Sequence, residues 1–244
     1  SCSATRSSRG GDPMAMTLYE LLGADDRRFS PFCWRSRLAL AHKGFDDAER
    51  VGVRFCDKEL IAFSDQTLVP VLVDGETVVS DSWDIACYLE DTYPDRPALF
   101  GGDAARPLAH FFNTWTDYTS RTTLTTLIVF DIFNHIEKID WEYFRSNREQ
   151  RYGMPLEEVQ KNRDRDVAVF RAALQPVRTV LESRPYIAGE APAYADYILF
   201  GTFLFARTMS PFKLLEDDDP IYAWRARMLE LFDGMATKAV GYPC

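Results

Sequence analysis

Residues 71–79 read Val-Leu-Val-Asp-Gly-Glu-Thr-Val-Val, two β-branched runs joined by an Asp-Gly dipeptide. Asp-Gly favours a tight hairpin, because a type I′ turn needs positive φ at both central residues. Strands paired this way run antiparallel, so whatever sheet contains them cannot be all-parallel. Around this hairpin, strand-like runs at 17–22 and 51–55 alternate with helix-like runs at 31–43 and 58–63, and another helical run follows over 82–93. The predicted order is βαβαββα, a small mixed sheet with helices.

Breakers then accumulate: Pro-Asp-Arg-Pro at 94–97, followed by Gly101 and Gly102. Beyond them the pattern is helical over 104–135, 141–151, 155–183, 194–209 and 219–236, punctuated by Gly153, Pro155, Pro185, Gly189, Pro192, Pro211 and Pro220. A chain of 244 residues can bury two modest cores. The expected fold class is thus α/β plus all-α: a β-containing domain at 16–94, a linker at 95–102, and a helical-bundle domain at 103–244. Residues 1–15 read as a flexible tail, a vector remnant or a mis-set start before Met14 and Met16. They lack the apolar centre of a secretion signal.

Several function classes are disfavoured. The net charge of −9, with no basic cluster beyond residues 6–9, opposes nucleic acid as a partner. The apolar run at 198–206 is stopped by Arg207, short of the roughly 18 residues a membrane span needs. Cys2, Cys33, Cys56, Cys87 and Cys244 are odd in number and scattered, which fits reduced thiols and a cytoplasmic location. His42, His110 and His135 are too dispersed to suggest zinc, and no metal is expected.

The segment between the first strand and first helix carries the chemistry. Ser30 suits an N-cap and Pro31 suits the first helical position, so free N–H groups and a positive dipole end should face the site there and attract an anion such as a thiolate. The cysteine at 33 lacks a partner three residues earlier, where Ser30 stands instead, so a dithiol cycle is disfavoured. A hydroxyl at that place can donate to the thiol of a bound cosubstrate, and each pKa unit of lowering corresponds to about 1.4 kcal/mol. Val69 precedes Pro70 at the opening of the third strand. A cis bond there would leave the Val69 N–H and C=O available to a peptide ligand. Asp81 and Ser82 open the next helix and could grip the ends of a zwitterionic peptide. Each element also has a plainer reading: Ser30, Asp81 and Ser82 as caps, Cys33 as a small buried thiol, and Trp34 as core.

Taken together, residues 30–35 (Ser-Pro-Phe-Cys-Trp-Arg), 68–75 (Leu-Val-Pro-Val-Leu-Val-Asp-Gly), 80–89 and 186–197 resemble the cytosolic glutathione transferases over nearly the whole chain. Residues 38–45 and 88–100 are similar to the bacterial β-aryl etherase-type transferases and their fungal etherase-related relatives. The resemblance implies a thioredoxin-like N-terminal domain, glutathione as cosubstrate, and a homodimer. It implies that Ser30 activates the thiol and Phe32 lies beside it. Val69, before Pro70, would pair with the cysteinyl backbone, and Asp81 with Ser82 would hold the γ-glutamyl end. Lys58 and Gln66 lie in the region of the glycyl end, with nothing to decide between them.

Two departures matter. Zeta-type isomerases carry Ser-Ser-Cys where this chain has Ser30, Pro31 and Phe32, which speaks against maleylacetoacetate isomerisation. Ala193 stands where the family has a Ser or Thr cap, so that hydrogen bond is absent and Asp196 alone can reach back.

The expected function is thiolate attack on small hydrophobic aromatic electrophiles, a detoxification-type transfer, with displacement of phenoxide from a β-aryl ether as the specific version. Trp115, Tyr118, Thr119, Phe203, Phe205 and Arg207 are candidates for the acceptor pocket. One rival reading is a weakly catalytic or noncatalytic carrier of hydrophobic aromatics. Another is a thiol reductase using Cys33.

Overall fold

The computed structural model describes residues 16–243, and the tail expected at 1–15 lies outside them, as does Cys244. Strand β1 (Thr17–Leu21) pairs in parallel with β2 (Glu49–Val53), and helix α1 (Pro31–His42) forms the crossover. On its other side β1 pairs antiparallel with β3 (Val71–Asp74), which pairs antiparallel with β4 (Thr77–Ser80). The sheet order is β2-β1-β3-β4. Helix α2 (Ser82–Thr92) completes this part. The arrangement is the thioredoxin-like one, with two local differences from the sequence expectation.

First, residues 58–63 do not form an α-helix: a 3-10 helix spans Lys58–Ser64. Only Ile61 of that segment is buried, so it has no apolar stripe to anchor a longer helix. Second, Asp74 pairs with Thr77, leaving Gly75 and Glu76 as the two loop residues. Positive φ is confined to Gly75, at +61°, so this is a turn with glycine at its first central position rather than one with both residues left-handed.

The remainder is helical. Helix α3 (Ala105–Thr116) continues through a single π-turn (Asp117–Arg121) into α4 (Thr122–Phe133), one long rod as the periodicity predicts. Then come α5 (Trp141–Tyr152), α6 (Leu156–Gln160), α7 (Arg163–Ala173), α8 (Gln175–Leu181), α9 (Tyr194–Met209) and α10 (Ile221–Lys238), the last broken by a kink where Leu231, Phe232, Asp233 and Gly234 leave the helical conformation. The helix expected over 155–183 is three helices. Pro176, with no N–H to give, stands at the start of α8 and marks one of the breaks.

Helix α9 is the axis of the molecule. Every residue in it except Ala195 and Arg207 is buried. It packs against α1 so closely that a Cβ on Gly201 would stand 2.6 Å from the Pro31 carbonyl oxygen. Its N-cap, Ala193, makes no side-chain bond. Asp196 compensates by accepting from the N–H groups of Ala193 (3.1 Å), Ile187 (2.7 Å) and Ala188 (3.2 Å), and from Trp224 Nε1 (2.8 Å). A second tie crosses from α1: fully buried Arg35 donates to the Ile198 carbonyl (3.2 Å), to Asn113 (3.0 Å) and to both oxygens of Asp117 (2.8 and 3.4 Å). Residues beside Ser30 are therefore held directly by the helical half.

Candidate functional site

Ser30 caps α1 as the sequence predicts: its Oγ accepts the Cys33 N–H at 3.3 Å, and Pro31 follows at the first helical position. Accepting that bond leaves the hydroxyl's own proton to be donated elsewhere. Ser30 lines a cleft of about 370 Å³ between the sheet-containing part and the helices. Phe32 and Val69 line the same cleft. The Val69–Pro70 peptide is cis, and among the described residues the Val69 N–H and C=O make no hydrogen bond. The Pro70 carbonyl accepts the Asp81 N–H at 3.3 Å, which ties Asp81 to the edge of the site.

Asp81 and Ser82 stand next to that edge without lining the cleft. Asp81 is exposed and caps α2 through its Oδ1, which accepts the Trp83 N–H at 2.7 Å. Its φ of 76° and ψ of 137° are a conformation that L-residues rarely adopt. Ser82 is buried, and its carbonyl accepts the Tyr194 hydroxyl at 2.8 Å.

Cys33 is also buried, facing the interior. Burial, with the charge of Glu20 as a second cause, pushes its thiol up to about 12. Burial and a raised pKa both disfavour Cys33 as an attacking sulfur, which weighs against the reductase reading.

The other side of the cleft departs from the sequence expectation. Of the six residues named for the acceptor pocket, Phe205 alone lines it. Tyr118 is 81% exposed. Trp115 stacks on Phe112 at 5.4 Å, and Thr119 bonds back to the Trp115 carbonyl. Phe203 packs in the core against Phe170 and Trp224. Arg207 donates to the carbonyls of Ala236, Thr237 and Ala239 near the end of α10. The apolar floor instead joins Phe29 to Phe55 (6.1 Å) and Phe205 (6.4 Å), and Phe55 to Phe144 (5.6 Å).

Sequence reasoning missed the polar residues of the wall: Arg121 on the π-turn, and Tyr143, Asn147, Arg148 and Arg151 on α5. The signal available for α5 was its period: positions 143, 147 and 151 fall four apart on one helix face. Lys58 lines the cleft and donates to the Tyr143 hydroxyl at 3.2 Å, whereas Gln66 is exposed and does not line it. Among the described residues, no group of three His, Cys, Asp or Glu side chains could hold a metal ion, and no helix is long and apolar enough to cross a membrane.

Two family models match the sequence: "Glutathione S-transferase, N-terminal domain" over residues 29–92 and "Glutathione S-transferase, C-terminal domain" over residues 107–222. A glutathione S-transferase-like protein of Aspergillus flavus, ustS, is 31% identical over 137 residues, covering 51% of this chain and 48% of that protein. The match thus spans about half the length of that curated relative. Among solved structures, a glutathione S-transferase of Ceriporiopsis subvermispora in complex with glutathione superposes with a TM-score of 0.78 at 23% identity, covering 90% of this chain and 96% of that one. A glutathione transferase of Phanerochaete chrysosporium gives 0.74 at 24% identity, covering 91% and 93%. At these identities the structural likeness is one of fold.

Proposed function

The chain belongs to the glutathione S-transferase family, and on that premise we propose that Ser30 activates the thiol of bound glutathione for attack on an aromatic electrophile held in the cleft. The observation that carries this reading is the position of Ser30 at the N-terminus of α1, its hydroxyl in the cleft with a proton to donate. A hydrogen bond and a helix dipole there both favour the thiolate over the thiol.

The remaining roles carry the family resemblance onto the residues around Ser30. Glutathione lies as an extended peptide along Val69, whose backbone groups pair with the cysteinyl unit ahead of cis Pro70. Asp81 takes the γ-glutamyl ammonium, and the start of α2 with Ser82 takes its carboxylate. The unusual backbone of Asp81 supports that assignment, since such conformations gather at ligand sites. Phe32 bounds the space beside the thiol. The thiolate then attacks a carbon whose leaving group departs with the bonding electron pair. The specific version is cleavage of a β-aryl ether with phenoxide as the leaving group.

Helix α3 leaves Leu108 and Phe111 exposed, and the 3-10 segment leaves Leu60 and Phe63 exposed. Covering them in a homodimer is the arrangement we propose, and a monomer mass in light scattering would contradict it.

The enzymatic reading is tested by glutathione turnover with 1-chloro-2,4-dinitrobenzene and by phenoxide release from a β-aryl ether. Rates above the uncatalysed reaction support it. Rates no faster than buffer with both substrates contradict it.

A further inference from the structure

The cleft's charge is out of balance. Arg54, Lys58, Arg121, Arg148 and Arg151 all line it, and no Asp or Glu does, in a chain whose net charge is −9. Two of these cations belong to the sheet-containing side. Arg54 is neutralised by Asp57, with bonds of 2.6 and 3.1 Å, and Lys58 rests on Tyr143. The other three come from the helical wall and are poorly matched. Asp117, the carboxylate nearest Arg121, already accepts both bonds of Arg35, leaving Arg121 Nε 3.4 Å from Oδ1. That Nε is buried and has no hydrogen-bond partner among the described residues. Arg148 bonds only to the neighbouring Asn147, and Arg151 makes no ion pair among the described residues.

These three guanidinium groups have one carboxylate between them, Asp117 beside Arg121, and two of them rest on aromatic rings, Arg121 over Phe32 at 5.2 Å and Arg148 over Phe144 at 5.0 Å. Burial, with Arg151 adding to it, opposes the charge on Arg148. Beside them lies the aromatic floor of Phe55, Phe144 and Phe205. Such a surface is matched by a ligand with a flat apolar body and an oxyanion at one end. Glutathione placed along Val69 and Ser30 would lie on the opposite wall.

We propose that the helical wall selects an aromatic carboxylate as the acceptor, with Arg148 and Arg151 as the specificity-determining residues and Arg121 beside them. Calling this ligand an acceptor rests on the transferase reading. The charge preference itself does not, and the test separates the two.

The experiment is a calorimetric titration with an unreactive isosteric pair, 4-nitrobenzoate and 4-nitrobenzamide, at low ionic strength. It is run without glutathione and again with glutathione at saturation. The benzoate is expected to bind at least about fivefold tighter than the amide in both conditions, with the advantage shrinking in added salt. In Arg148→Gln/Arg151→Gln the two ligands should bind within about twofold of each other, while Arg148→Lys/Arg151→Lys keeps the preference. Melting curves confirm that the variants are folded, and Arg151→Gln alone, at an exposed side chain, should lose part of the preference. Equal binding of the pair, or a preference that survives the double glutamine variant, overturns the proposal. So does a preference that vanishes when glutathione is bound, because the arginines would then serve glutathione. Failure of the wild-type protein to bind glutathione would sink the transferase reading, with the benzoate preference still read on its own.

Discussion

The two walls of the cleft are built by different rules. On the sheet-containing side, the proposed glutathione contacts come from short local devices: a capping serine and a residue ahead of a cis proline in the cleft, and a capping aspartate at positive φ beside it. On the helical side, the groups are long side chains that meet only because the π-turn and α5 are brought together in space. Local devices use backbone N–H and C=O groups, which any neighbouring side chain leaves in place. Converging side chains depend on packing tens of residues away. The first wall should therefore be chemically fixed, and the second open to change in what it recognises.

The largest test of that contrast is the tie between the walls. Arg35→Ala removes a fully buried cation that bonds α1 to α3, the π-turn and α9. It should cost ~3 kcal/mol, the lower end for breaking a buried pair, because Asp117 remains 19% exposed. Denaturant melts would show one transition at a lower midpoint. An unchanged midpoint would mean that the walls are held independently.

Next is Ser30→Ala, which touches the fixed wall alone. Loss of a hydrogen bond to a charged sulfur, worth roughly 1.5–3 kcal/mol, should lower kcat/KM for glutathione conjugation by about 10- to 100-fold. The lost cap should cost ~1 kcal/mol of stability. Cys33→Ala should leave the rate within about twofold, and iodoacetamide should fail to label Cys33 in the folded protein at neutral pH, since its thiol stays protonated. Rapid labelling would revive the reductase reading.

Gly201→Ala should act between the walls. Its added methyl meets the Pro31 carbonyl, so α9 and the start of α1 must separate at a cost of about 1–3 kcal/mol. The shift should displace Ser30 and lower kcat more than it raises the acceptor KM. The smallest effect belongs to Arg207→Gln, at under about 1 kcal/mol of stability with unchanged acceptor KM, because Arg207 caps α10 and lies outside the cleft. A changed acceptor KM would put it back among the pocket residues.

The same contrast explains what the sequence made legible. Ser30 with Pro31, the pair Val69 and Pro70, and Asp81 with Ser82 are each adjacent in the chain, and their local geometry follows from capping and proline rules. The hairpin at 71–79 was readable for the same reason, although Gly75 alone, rather than a left-handed pair, makes the turn. Helix positions were readable from period, but whether an aromatic faces core or cleft was not. Phe203 and Phe205 sit two apart on α9, and only the second reaches the cleft. Arg207 looked like a pocket cation because the chain cannot show that the carbonyls of residues 236, 237 and 239 lie within its reach. Nothing in the sequence singles out Arg148 and Arg151 on a polar helix, and only the approach of α5 to the β2 end makes them part of the cleft wall.

The central claim is that Ser30 holds the sulfur of glutathione as a thiolate. A calorimetric titration of glutathione into the wild type and Ser30→Ala, in two buffers of different ionisation enthalpy, counts the protons released on binding. Proton release in the wild type that shrinks in Ser30→Ala is the predicted result. Equal release in both proteins, or no glutathione binding at all, would contradict it, and the second outcome would leave a carrier of aromatic ligands as the reading of the cleft.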